Sequence, residues 1–445
     1  MISIRKKLLP ALKGNKFLFV KLWQLKGLIP GRENIRKKSH QTLTSDGAWC
    51  WIADPRAVYY EGEHKKVYVG WVNKSGSIQV ASYNRGTKKI TTTTLKKKLQ
   101  RDDHANPALL VRPDGRLMVF YSAHNGKKMF YHVSKEPENV SSWDKELEVG
   151  VNTEGARGYT YPNPIHLATE GSKIYLFWRG GNWKPSFAEL KEDFTWSSAK
   201  TLVKGEGKRP YVKFDSNGID KIHFAFTDGH PGEEEKNNIY YAYYYKGAFY
   251  KANGFKIKNI EELPINPLEA DKVYDAAILG IKAWVWDIAL DHSGNPIILY
   301  AVFRKINDHR YRYAQWDGEK WNDYEITAAG NCFPKTHKRE IEEEPHYSGG
   351  VALDHDNPSI VYLSRPIHGI FEIEKWVTSD GGTTWDLEEI TSRSAKDNIR
   401  PVVARNYSKS ESGILIWMQG NYYYYTQYYT GLKMYIPEVD VVKTV

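Results

Sequence analysis

With 445 residues, 41% apolar and 26% charged, the chain has enough apolar side chains for a sizeable core and is not a wholly disordered polymer. Its two cysteines, Cys50 and Cys332, exclude a disulfide-framework protein, and the sequence leaves open whether they form one bridge or remain two thiols. The net charge of +10 resides in residues 1–40, which hold eleven Lys or Arg against the single Glu33; the rest carries 52 of each sign, so a nucleic-acid-binding body is not expected.

Residues 1–44 read as a basic N-terminal extension. Its apolar patches are interrupted by Lys13, Lys16, Lys21 and Lys26, which makes a poor secretory leader. No apolar run approaches the roughly 18 residues that a membrane helix needs. Residues 45–445 are expected to form one domain.

Within that domain one pattern recurs: an apolar strand end, a turn of Asp, Gly, Asn or Ser, then a short strand ending in aromatics. It occurs at 59–72, 110–124, 167–180, 212–229, 288–303, 351–365 and 404–420. Turn residues between two runs of strand composition predict a hairpin at each copy. Further strand-like stretches lie between the copies, at 129–134, 240–245, 311–316, 371–377 and 422–429. Four strands per unit and seven units predict an all-β, seven-bladed β-propeller of four-stranded antiparallel blades. The high aromatic content, 14%, fits wedges packed between blades, and the Tyr-rich runs 240–245 and 422–429 are assigned to that packing. Thr378-Ser379-Asp380-Gly381-Gly382-Thr383-Thr384-Trp385 matches the Asp-box turn of sialidase-like propellers, a structural turn that speaks for fold and not activity. No GxGxxG, Walker, HExxH or paired CxxC motif occurs, which removes the common nucleotide and zinc readings.

Polar residues beside the predicted inner strands are the candidates for chemistry. They are Asp102-Asp103-His104-Ala105-Asn106, Tyr121-Ser122-Ala123-His124-Asn125, Tyr159-Thr160-Tyr161, Trp178-Arg179, Lys208-Arg209-Pro210-Tyr211 and Asp228-Gly229-His230. His104 and His124 flank one hairpin and so reach the same end of one blade. His, Tyr and Arg together suit β-elimination on a uronic acid. A base removes the proton at carbon 5, an acid protonates the leaving oxygen on carbon 4, and a cation offsets the carboxylate. A glycosidase would instead use two carboxylates about 5–9.5 Å apart, for which these loops offer only Asp102, Asp103 and Asp228.

The strings DDHANPALLVRPDGRLMVFYSAH, YTYPNP, YLFWRGG, KRPYVKF, FTDGHPGE and HYSGGVALD resemble the BNR-4 propeller family, from about Trp49 to Gln419. That family includes seven-bladed ulvan lyases and related enzymes of rhamnose–glucuronic acid linkages. The resemblance implies a polysaccharide lyase acting on an acidic polysaccharide, with catalytic residues His104, His124, Tyr161, Arg179 and Tyr211. His104 and Tyr161 are expected to be base and acid in unresolved order, with His124 and Tyr211 in support and Arg179 on the uronate carboxylate. Asn106, Asn125, Tyr159 and Arg209 are expected to contact substrate. Catalysis is expected to need no cofactor. A structural zinc or calcium ion held by His230 and His346, with Cys332 or His337 as lesser candidates, is a further implication. The family acts outside the cytoplasm, so a secreted or periplasmic location is the corresponding expectation. The rival readings are a glycoside hydrolase removing a terminal sugar and a non-catalytic glycan-binding propeller.

Overall fold

A computed structural model describes residues 40–171, 173–334, 344–407 and 413–437. Its strands form seven antiparallel sheets arranged as the blades of a propeller. Blade 1 comprises Ala57–Glu61, Lys65–Val72, Ile78–Asn84 and Ile90–Lys96, and blade 2 comprises Ala108–Val111, Leu117–Ser122, Met129–Val133 and Leu147–Glu148. Blade 3 is built from Thr160–His166, Ile174–Arg179, Pro185–Leu190 and Lys200–Thr201. Blade 4 runs from Val212 to Tyr274, blade 5 from Ala283 to Gly330, and blade 6 from Val351 to Glu389. All seven hairpins expected from the repeat are present.

Burial falls from the axis outward. Every residue of Leu117–Ser122 is buried, because both faces of a second strand pack on neighbouring blades, whereas all of Asp386–Glu389 at an outer edge is exposed. Aromatics fill the wedges. Phe177 of blade 3 stacks on Phe214 of blade 4 with ring centroids 4.3 Å apart, and each such buried ring contributes about 1.5–3 kcal/mol. The Asp box forms the outer turn of blade 6. Asp380 accepts from the Thr384 N–H (2.8 Å) and hydroxyl (2.6 Å), Gly382 sits at φ +98°, and Trp385 packs edge-on against Tyr313 of blade 5.

Two features depart from a uniform set of four-stranded blades. Blade 4 has six strands, because Ile239–Tyr245 is shared along its outer edge: Tyr243–Tyr245 pairs with Ala248–Tyr250, and Ile239–Tyr241 with Asp271–Tyr274. Blade 7 (Asp397–Val403, Leu415–Tyr424, Gln427–Tyr435) takes its outermost strand from Gln41–Thr44, placed by sequence in the extension. The start and end of the propeller thus share one sheet, with Gln41–Thr44 covering the edge of Gln427–Tyr435. The run 422–429 is not one strand but the tip of a blade 7 hairpin, turning at Tyr425 and Thr426. The bulk of the basic extension, residues 1–39, lies outside the described residues.

The segment that follows Gln41–Thr44 positions the site. Residues 47–54 are buried and bond to one inner strand after another. Cys50 N–H donates to Asp103 and Asn106 before blade 2, and Asp54 N–H donates to Asn163 of blade 3. Lys213 of blade 4 donates to the Trp51 carbonyl, the Trp51 indole donates to Val285 of blade 5, and the Trp49 indole donates to Arg400 of blade 7. This axial segment is a floor on which inner-strand side chains converge. Among the described residues no helix is long and apolar enough to cross a membrane.

Candidate active site

Asp102 begins a single 3-10 turn, Asp103–Ala105, and its side chain accepts from the His104 N–H (2.9 Å). The turn presents His104 beside His124, which follows the second strand of blade 2. The imidazoles stack at 4.4 Å and 11°. His104 Nδ1 lies 2.8 Å from Asp102 Oδ1 and 2.9 Å from Asp103 Oδ1, and His124 Nδ1 lies 2.9 Å from Asp102 Oδ2. An ionised carboxylate only accepts, so each Nδ1 carries the proton and each Nε2 is turned from Asp102.

The two rings differ in charge. Burial opposes a charge on His104, but the Cys50 sulfur and the carboxylates of Asp102 and Asp103 outweigh it and hold the ring protonated well above the ordinary histidine range. For His124, burial and the neighbouring His104 charge dominate, and its pKa is pushed down to about 4. Asp102 stays ionised: burial disfavours its charge, yet the two imidazoles hold it well below the usual carboxylate range. By these directions His104, expected to share base and acid duties with Tyr161, is favoured as the charged ring, which suits the acid more than the base. The neutral ring is His124.

Tyr161 is aimed at this pair by a β-bulge. Thr160 pairs with Arg179 and Asn163 with Phe177, so Tyr161 and Pro162 together face one partner, and Tyr161 adopts φ +64°. Its ring lies 5.6 Å from His104 and 6.0 Å from Tyr211. Burial, reinforced by Tyr211, raises its pKa well above 10, so it is a neutral phenol.

Arg179 ends the second strand of blade 3, 4.8 Å from the Tyr161 ring centroid. It is 6% exposed. Its bonds are long, 3.4 Å to the Tyr211 hydroxyl and 3.3 Å to the Thr160 hydroxyl, and no carboxylate pairs with it among the described residues. A buried guanidinium in this state has open capacity for an anion. The structure thus brings His104, His124, Tyr161, Arg179 and Tyr211 into one cluster.

The expected substrate contacts fare differently. Arg209 joins the rim: it pairs with Glu233 at 2.9 Å and lies 4.9 Å from the Trp183 ring. Asn106 is fully buried and ties the floor, accepting from Cys50 N–H and donating to Ala53 and Pro107. Tyr159 points to the packing between blades 2 and 3, donating to Val151 and lying 5.7 Å from Trp178. Asn125 braces a loop, accepting from Gly158 N–H. These three have structural partners; of Tyr159 and Tyr161, which a regular strand would set on one face, only Tyr161 is turned to the cluster, by its bulge.

His230 and His346 flank Gly232, but His230 Nδ1 accepts from the Gly232 N–H at 3.0 Å. Among the described residues no third His, Cys or carboxylate joins them. The sets with three donors in reach are Cys50, Asp103 and His104, and Asp102, His104 and His124. A closed structural site needs about four ligands, so the two imidazoles alone do not make one. Cys332 and Cys50 are both buried and are not joined in a disulfide; His337 lies outside the described residues.

Several site residues had not been singled out. Trp183, at the tip of a blade 3 hairpin, is surrounded by Arg157 (4.6 Å), Arg179 (5.0 Å) and Arg209 (4.9 Å). Arg400, in a blade 7 bulge at φ +50°, is ion-paired with Asp103, while Tyr422 donates to Asp103 (2.6 Å) and accepts from Arg400 (2.9 Å). Tyr425 meets the His104 ring edge-on at 4.9 Å. One signal for Arg400 was present: like Tyr161-Pro162, Arg400-Pro401 is an X-Pro pair within an inner strand, and both sit in bulges.

Comparison with known proteins follows this geometry. Residues 66–329 match the BNR repeat-containing family. An ulvan lyase of Nonlabens ulvanivorans is 23% identical over 397 residues, covering 76% of this chain and 77% of that protein. An ulvan lyase of Alteromonas sp. (strain LOR) is 23% identical over 310 residues, 59% of this chain and 60% of that protein. Among solved structures, a polysaccharide lyase PL25 ulvan lyase bound to -[GlcA(1-4)Rha3S]- superposes with a TM-score of 0.67 at 16% identity, over 89% of this chain and 96% of the other. Polysaccharide lyase Uly1 superposes with a TM-score of 0.56 at 13% identity, over 90% and 99%. With more than half of its length matched, the chain belongs to the BNR repeat-containing family.

Proposed function

We propose that this protein is a polysaccharide lyase that cleaves the glycosidic bond at carbon 4 of a uronic acid by β-elimination. The observation that carries the reading is Arg179, a buried guanidinium with no carboxylate partner among the described residues, set beside an imidazole and a phenol that are both favoured neutral. Arg179 binds the uronate carboxylate, and the His104 imidazolium adds positive charge as electron density builds on that group. His124 Nε2 takes the carbon 5 proton. The C–H electron pair becomes the carbon 4–carbon 5 double bond, the carbon 4–oxygen bond breaks, and Tyr161 gives its proton to the leaving oxygen. The proton gained by His124 then returns to the phenolate through solvent.

Hydrolysis is less well served. Asp102 and Asp103 both hold His104, Asp103 also pairs with Arg400, and Asp228 is held by Asn238 and Tyr240. None is a free carboxylate for a two-acid mechanism. The ulvan lyase relatives support a rhamnose–uronate glycan as the substrate class.

The test is incubation with a panel of uronate polysaccharides, following ultraviolet absorbance of the unsaturated uronate together with reducing ends. Both signals should rise in step on at least one rhamnose–uronate polymer. Reducing ends without ultraviolet absorbance would select a hydrolase, and neither signal would leave only a binding propeller.

A further inference from the structure

Two-residue hairpin turns favour Asn, Gly and Asp, which supply the backbone angles at least cost. The blade 7 hairpin instead turns through Tyr-Tyr-Tyr-Tyr-Thr-Gln (422–427), with the turn itself at Tyr425 and Thr426. Tyr422 is engaged by the Asp103–Arg400 pair, but the residues after it are not core. Tyr423 and Tyr429 are 42% and 53% exposed and meet edge-on at 6.4 Å. Tyr424 and Tyr425 are half-buried, with ring centroids 4.0 Å apart. Local turn chemistry and burial therefore do not account for aromatics here.

The tip is fixed where a substrate must pass. The Tyr425 carbonyl accepts from the Asp103 N–H at 2.9 Å, so the turn is fastened to the loop that presents His104. The Tyr425 ring stands perpendicular to both imidazoles, at 4.9 Å from His104 and 5.8 Å from His124. Along the same hairpin, Arg101 covers Tyr428 and Tyr429 at 5.6 and 5.2 Å. Around the catalytic cluster, the blade 3 margin offers three guanidiniums, whereas the blade 7 margin offers phenol rings with the single guanidinium of Arg101 beside them. That division matches a polymer whose units alternate between acidic and neutral.

We propose that Tyr425, backed by Tyr424, is a stacking platform for the neutral sugar next to the uronate at Arg179, and so a positioning residue for the reaction. It rests on the lyase reading for its substrate. The C–H face of a deoxysugar covers an aromatic ring, excludes water from it, and sets the register of the chain against His124. The phenol hydroxyl takes no part.

The test compares Tyr425→Ala and Tyr425→Phe in the full chain, using an alternating uronate–deoxysugar oligosaccharide. Binding is read by calorimetry and turnover by ultraviolet absorbance, with thermal unfolding as the control for folding. Loss of the platform should weaken binding and raise KM about tenfold, the equivalent of about 1.4 kcal/mol, with kcat within a few-fold and with Tyr425→Phe close to wild type. Unchanged binding in a folded Tyr425→Ala variant overturns the platform and leaves the lyase reading standing. A Tyr425→Phe variant that binds normally but fails to turn over also overturns it, by moving the hydroxyl into the chemistry. If wild type binds but shows no turnover while Tyr425→Ala loses binding, the platform stands and the lyase reading falls.

Discussion

His104 and His124 stack face to face, 4.4 Å apart, and share one carboxylate, Asp102, yet their surroundings push them in opposite directions, His104 towards the charged form and His124 towards the neutral one. Asp103 supplies a second negative partner to His104 alone. Once His104 is charged, its stacked neighbour is discouraged from charging, and burial adds to that effect. One carboxylate thus orients a fixed cation and a free base.

The pH profile follows. His124 is usable as a base only when neutral, and its pKa is pushed down to about 4. Lyase activity should fall on the acid side with an apparent midpoint close to that value, and His124→Ala should reduce kcat by about 100- to 10,000-fold. An acid limb at the ordinary histidine value of about 6.5 would contradict the assignment.

Asp102→Asn tests the shared carboxylate. It removes a negative partner from both rings, so His104 should titrate at lower pH and lose its fixed tautomer. Histidine-ring NMR should show this shift. The accompanying loss in kcat should be at least about 100-fold, the scale set by a misplaced general base. An unchanged His104 titration would mean that Asp103 alone holds the charge.

Arg400→Met isolates a stability role. It strips the cation from a buried pair that also engages Tyr422 and the Trp49 carbonyl. Removing one partner of such a pair costs about 3–5 kcal/mol. Urea unfolding should register that loss, and Asp380→Ala in the exposed Asp box should cost clearly less, with activity intact. Equal losses for the two variants would refute the weight given to the axis.

A second pH effect concerns stability. His355 lies between Asp215 (3.2 Å) and Asp287 (3.1 Å), faced also by Arg405, Lys213, Asp354 and Asp356. Burial and Arg405 oppose its charge, but the aspartates prevail and raise its pKa to about 9. Because the folded value lies above the unfolded one, the stabilisation is complete below about pH 6.5 and drains away towards pH 9. It amounts to something on the order of 3 kcal/mol. Unfolding free energies across that window should decline in wild type and flatten in His355→Gln; parallel slopes would remove the effect.

The fold was legible because a blade is built from local hairpins. Asp114–Gly115, Asn217–Gly218 and Ser293–Gly294 mark turns between strands that pair at once, so the signal spans only a few residues. What sequence hid is convergence at the axis. Arg400 and Asp103 are 297 residues apart in the chain, and no spacing rule joins them. Residues 49–54 form no strand or helix, so no periodicity identified them as a floor. His104, His124, Tyr161, Arg179 and Tyr211 were accessible because each lies at or near an end of the first or second strand of neighbouring blades, in strings that resemble the BNR-4 family. Tyr425 was not, since an aromatic run reads as packing until the turn within it is seen.

The mass of the products formed in heavy-oxygen water tests the central claim most directly. β-Elimination adds no water, so the oligosaccharides should carry no heavy oxygen from cleavage, and each new non-reducing end should be one water lighter than a hydrolytic product. Heavy oxygen at the cleaved position, in products of full hydrolytic mass, would contradict the account.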